Sequence, residues 1–272
     1  MAGLSCTRAA GGAAAAAAAL LAGGATRGAG ATAPDGAPFV CTFVSSWSAC
    51  GFTAQAASPA RIAPVEVAGM PGVRLETLPG DRGIAGSGAA ERTDLALSPH
   101  ATGCSEGEEQ WWTHALLFPD EYVLPQATRA DPWPWGVVFD FHHTGSEGQA
   151  NVQIEVAGDP PRLRFAISGG PRVSSGAPGS PTQHREIGPI IKNHWYRFVY
   201  HVRWSSGAGG IFDAWVDGRS VLAWRGPTLY AGQGCYLKLA NYHTPVGKPV
   251  AVVHAHLVRA ATRAGLGLGA HS

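Results

Sequence analysis

The chain has 272 residues, a formal net charge of +1 and only 14% charged residues, so it lacks the basic excess that nucleic-acid binding needs. Its 37 Gly and 20 Pro argue against a long helical bundle, because both residues are costly inside helices. The 45% hydrophobic content, with nine Trp, nine Phe and six Tyr, argues equally against a disordered chain and suits one large β domain.

Residues 1–33 stand apart as a low-complexity leader. Arg8 precedes seven alanines from Ala13 to Ala19, then Leu20-Leu21, and small residues run on to Ala31-Thr32-Ala33. A weakly positive start, a short apolar run and an A-x-A-like end predict a secretory signal. A secreted or periplasmic protein is expected, with no membrane span after signal removal. Cys6 would leave with the leader, and Cys41, Cys50, Cys104 and Cys235 would remain. Four cysteines in an exported chain imply two disulfides, with three connectivities open. Cys41–Cys50, closing a short loop, and Cys104–Cys235 are favoured. No CxxC pair suggests zinc.

From residue 38 to about 262 the chain predicts a single all-β domain, followed by a tail over 263–272. Apolar and polar residues alternate through Val73–Leu78, as in a half-buried strand. Similar runs are Thr113–Phe118, Val137–His142, Val152–Val156, Leu163–Ile167 and Tyr196–Trp204. Further runs are Ile211–Val216, Val221–Trp224, Tyr236–Ala240 and Val250–Val258. Asp217-Gly218 between two of them predicts a two-residue hairpin. The Gly/Ser/Pro-rich stretch from Gly169 to Gly188 predicts a long exposed loop. Many short strands at this spacing mean a sandwich or barrel.

Three segments carry candidate chemistry. In Glu91-Arg92-Thr93-Asp94-Leu95, Arg92 and Asp94 share a strand face. In Asp140-Phe141-His142-His143, Asp140 and His142 share one. Tyr236, Lys238, Ala240 and Tyr242 share another, and Lys238 is one of three lysines among 20 basic residues. His143 falls on the opposite face from His142 and reads as a rim or packing residue. Asn151, Gln153 and Glu155 alternate on a strand that could line the same sheet, and Trp133 and Trp135 precede the His142 strand. The paired carboxylates of a glycosidase are missing. An Arg, a Lys, a His and a Tyr on one face suit β-elimination from a uronate. Cations neutralise the C6 carboxylate, a base removes the C5 proton and an acid protonates O4.

Arg92-Thr93-Asp94-Leu95, Asp140-Phe141-His142 and Tyr236-x-Lys238-x-x-x-Tyr242 resemble, in order, the R-T/S-E-L, Q-x-H and Y-x-K-x-G-x-Y motifs of jelly-roll polysaccharide lyases. The heparin lyase I/glucuronan lyase-like domain is the nearest in look, with alginate lyases sharing the motifs. The resemblance covers roughly residues 65–260. It implies a β-jelly roll (a concanavalin A-like sandwich) whose concave sheet holds an acidic polysaccharide. It makes Tyr242 the base and/or acid and His142 its partner. Lys238 and Arg92 bind carboxylates, and Tyr236 lines the cleft. Asp140, Asn151 and Gln153 are added as substrate contacts. No cofactor is implied, and the chain is expected to act as a monomer. A structural Ca²⁺ on a loop is allowed, without ligands named. The motif's Gln is Asp140 here, its Gly is Ala240 and its Glu is Asp94. The first departure favours, as rival, a non-catalytic sugar-binding jelly roll.

Overall fold

A computed structural model describes residues 38–84, 88–125, 133–145, 148–175 and 182–268. The leader lies outside the described residues. Fifteen strands run in chain order: β1 Phe39–Cys41, β2 Phe52–Ala56, β3 Ile62–Val67, β4 Met70–Thr77 and β5 Glu91–Leu97. Then come β6 Glu109–Leu117, β7 Trp135–His143, β8 Val152–Ala157, β9 Arg162–Ile167 and β10 Gln183–Pro189. The last are β11 Trp195–Arg203, β12 Ile211–Val216, β13 Arg219–Arg225, β14 Cys235–His243 and β15 Val250–Ala260.

They form two antiparallel sheets. One has the order β13-β12-β11-β6-β15-β4-β3, with β1 added on β15. The other has the order β10-β9-β8-β7-β14-β5-β2. The two face each other across an apolar core, as in a jelly-roll sandwich. Phe139 and Phe141 of β7, Leu237 and Leu239 of β14 and Leu95 and Leu97 of β5 enter that core from the second sheet. Trp112 and Leu116 of β6, with Phe198, Tyr200 and Val202 of β11, enter it from the first. Burying alternate residues necessarily turns Asp140, His142, Tyr236, Lys238, Arg92 and Asp94 to the outer face of the second sheet.

Each strand expected from the alternation is present. Asp217 (φ 51°) and Gly218 (φ 74°) both adopt the left-handed conformation that a type I′ hairpin between β12 and β13 requires. The expected loop over 169–188 is corrected in part, because its end forms β10. This strand lies at a sheet edge and pairs only with β9. Its Gln183, His184, Arg185 and Glu186 are exposed. Polar side chains suit an edge strand, since they discourage pairing with another chain, and they erase the apolar signal. At the opposite edge of the first sheet, Pro64 sits in β3, where a missing N–H is tolerated.

Disulfides join Cys41 to Cys50 and Cys104 to Cys235. The second ties the start of β14 to the turn after a short helix, α1 (Pro99–Thr102). Beyond β15, Leu266 is buried with Val199, Val258 and Ala260, and Trp111, Trp215 and Leu268 pack against them. The stretch 263–268 therefore caps the outer face of the first sheet.

Candidate active site

The site occupies β5, β14 and β7, adjacent strands in the middle of the second sheet. Register sets its rows. Lys238 lies across from Asp140, Tyr236 across from His142, and Tyr242 across from Arg92 on the other side. On β8, Gln153 lies across from Asp140.

The floor is ionic. Asp94 is 1% exposed and Lys238 2%. The Asp94 carboxylate stands 3.5 Å from Arg92 Nε and 3.6 Å from Lys238 Nζ, so one buried anion holds both cations. It also accepts the Asn241 N–H at 3.3 Å. Burial pushes the Asp94 pKa up, and Lys238 and Arg92 pull it back only in part. Burial would lower Lys238, but Asp140 and Asp94 outweigh it and hold the ammonium above its ordinary range. Asp140 is 3% exposed, and its Oδ1 has no hydrogen-bond partner among the described residues. Burial raises it to about 6, against the pull of Lys238, Arg92 and His143.

The walls are aromatic and half-buried. The Arg92 guanidinium lies over the Tyr242 ring, 3.7 Å from its centroid. Trp135 packs edge-on against the same ring at 4.7 Å. At the other end His142 and Tyr236 pack together, with ring centroids 5.2 Å apart. His142 Nδ1 lies 2.8 Å from the His143 carbonyl. A carbonyl only accepts, so Nδ1 carries the hydrogen and Nε2 keeps a free lone pair. Burial first, then the Lys238 charge, lowers His142 to about 4. The ring is therefore neutral at pH 7 and able to take a proton. Burial raises Tyr236, which keeps its hydroxyl proton.

Arg92, Asp140, His142, Tyr236, Lys238 and Tyr242 are thus brought onto one face. The Tyr242 and His142 rows, five residues apart along β7, are separated by on the order of 17 Å of strand. Gln153 shares the face and contacts the Gln149 amide, which also bonds Glu155 at 3.0 Å. Asn151 is corrected. It is 0% exposed, with Nδ2 turned to the Ser168 carbonyl, and presents no surface to a ligand. His143 is fully buried on the inner side, bonded to Gln233 at 2.8 Å. Trp133 is 82% exposed. Sequence reasoning overlooked the weight of Asp94. Its parity with Arg92 was the available signal, but the reach of Lys238 to it depends on strand pairing. Among the described residues no group of three or more His, Cys, Asp or Glu is placed to hold a metal ion, and no helix is long and apolar enough to cross a membrane.

Comparison with known proteins agrees with this fold. The chain is similar in structure to an endo-β-1,4-glucuronan lyase from the fungus Trichoderma reesei. That match has a TM-score of 0.58 and 14% identity, and covers 75% of this chain and 88% of that one. It is also similar to an alginate lyase, with a TM-score of 0.54 and 13% identity, covering 83% of this chain and 97% of that one. At these identities the likeness is one of fold. No curated protein matches the sequence. The polysaccharide lyase family model matches residues 42–255, nearly the whole sandwich with all three motif strands, and the chain belongs to that family of enzymes.

Proposed function

We propose that this chain is an exported lyase that cleaves a uronate-containing polysaccharide by β-elimination, using its own side chains in place of a metal. The observation that carries the proposal is the Arg92–Asp94–Lys238 floor flanked by Tyr242, Tyr236 and His142. Lys238 and Arg92 would engage the C6 carboxylate and make the C5 proton more acidic. Tyr242, held under Arg92, would take that proton and return one to O4. The C4–O4 bond breaks as the C4=C5 double bond forms. One residue serving both steps meets the requirement that C5 and O4 belong to the same sugar.

The His142–Tyr236 contact supports a second assignment. Neutral His142 would take the C5 proton, and Tyr236, still protonated, would deliver one to O4. Two disulfides favour an oxidising compartment, which fits export. Glucuronan, alginate and heparin are the substrates to offer, the last for the heparin lyase I-like motif pattern. Unsaturated ends, read by ultraviolet absorbance, are the expected product. Binding without unsaturated ends would favour a non-catalytic sugar-binding protein, the reading to which Asp140 lends most support.

A further inference from the structure

The site as it stands is charge-balanced before any ligand arrives. Arg92 and Lys238 supply two positive charges, and Asp94 and Asp140 supply two negative ones when both are ionised. A uronate brings a third negative charge into this nearly dry floor. An excess anion there is expensive unless it is paired or neutralised.

The two carboxylates differ in what holds them. Asp94 touches both cations, at 3.5 and 3.6 Å, and accepts a backbone N–H. Among the described residues Asp140 has no cation within 4 Å, and its buried Oδ1 has no hydrogen-bond partner. It stands across from Lys238 on one side and from uncharged Gln153 on the other. An orphaned, buried carboxylate oxygen on the ligand-facing side is the group best placed to change protonation when a ligand enters.

We propose that Asp140 takes up one proton from solvent when a uronate carboxylate enters the cleft, and that the resulting carboxylic acid donates a hydrogen bond to that carboxylate. Proton uptake restores neutrality, and the acid-to-carboxylate hydrogen bond is of the short, charge-assisted kind. The inference rests on the uronate-lyase reading above.

The groups facing Asp140 are few. Lys238 and Tyr236 face it from β14, Arg92 and Asp94 from β5, and Glu155 follows Gln153 on the same face of β8. On β7 itself, His142 shares its face and His143 lies behind. Lys238 and Arg92 stay protonated through neutral pH, and both His142 and Tyr236 stay uncharged. The free-state value of Asp140, about 6, puts its own titration at the edge of the neutral range.

The test is calorimetric titration of the wild-type protein with glucuronate and alginate oligosaccharides at pH 7.5, in two buffers of different ionisation enthalpy. Uptake approaching one proton per site is expected, with affinity falling toward about tenfold per pH unit between pH 7 and 9. Asp140→Asn, a permanently neutral near-isostere, should bind without proton uptake and with pH-independent affinity over that range. Binding without proton uptake in the wild type overturns the inference, as does uptake that persists in Asp140→Asn. Proton-coupled binding without unsaturated products overturns only the lyase reading, and failure to bind either uronate overturns both.

Discussion

The Arg92 guanidinium lies over the Tyr242 ring while its Nε faces Asp94, so one guanidinium joins the aromatic wall of the cleft to its ionic floor. A lysine keeps the charge but not the planar guanidinium. Arg92→Lys should lower kcat/KM about thirtyfold, equivalent to about 2 kcal/mol of a desolvated cation–π contact. Initial rates of unsaturated-product formation measure it. An unchanged rate would remove Arg92 from the machinery.

The two tyrosines separate the two acid–base assignments. Tyr242→Phe should cut kcat by roughly 10²–10⁴, the range for lost general acid–base catalysis, with KM within about threefold. Tyr236→Phe should lose less than tenfold. The reverse order would move the reaction to the His142–Tyr236 end of the cleft.

If Lys238 and Arg92 do the work of a metal, exhaustive dialysis against a chelator should leave kcat/KM within about twofold. Lys238→Met, which keeps the stem and removes the charge, should abolish detectable turnover. It should also free Asp94 of one of its two cations. Restoration of chelated activity by an added divalent ion would contradict the metal-independent reading.

A buried histidine pair bears on stability. His114 and His254 lie inside the sandwich, 6.2 Å apart, and both are fully buried. Burial lowers His254 to about 4, and burial together with His254 lowers His114 well below its usual range. Unfolding releases them to ordinary values near 6.5. The unfolded chain therefore binds more protons between about pH 4 and 6.5, and stability falls as pH drops through that window. His254 alone accounts for about 3 kcal/mol lost by pH 4. Urea titrations at pH 7 and 5 should show the drop, and His254→Gln should blunt it.

Much of the site was legible because alternation is a local property. Residue parity in three short segments placed Arg92 and Asp94, Asp140 and His142, and Tyr236, Lys238 and Tyr242 on shared strand faces, and the structure has all of them on the outer face of the second sheet. The strand pattern likewise carried the sandwich. What failed depended on neighbours distant in sequence. Asn151 has the right parity but is sealed by its surroundings, and parity says nothing about cover. The pairing of β14 with β5 brings Lys238 to Asp94, and no spacing within either strand announces it. β10 was missed because an exposed edge strand carries few apolar residues.

The Cys104–Cys235 bond closes a loop of 131 residues around β6 to β13 and holds the first residue of β14. The chain-entropy model assigns about 5 kcal/mol to a loop of this length, and about 2.6 to the nine-residue Cys41–Cys50 loop. Cys104→Ala/Cys235→Ala should therefore lower the denaturant midpoint more than Cys41→Ala/Cys50→Ala. It should also raise KM, because β14 loses its anchor.

β14 keeps step with β5 from Lys238 to His243 but shifts against β7 between Leu239 and Tyr242. That irregularity marks where the strand has room for a change of length. Between Tyr236 and Leu239, adding or deleting one residue would exchange Lys238 for a leucine on the ligand side and send a charge into the core. Length changes in this lineage should then be confined to loops and to the stretch around Ala240-Asn241. The spacing from Tyr236 to Lys238 is frozen by the same alternation that packs Leu237 and Leu239.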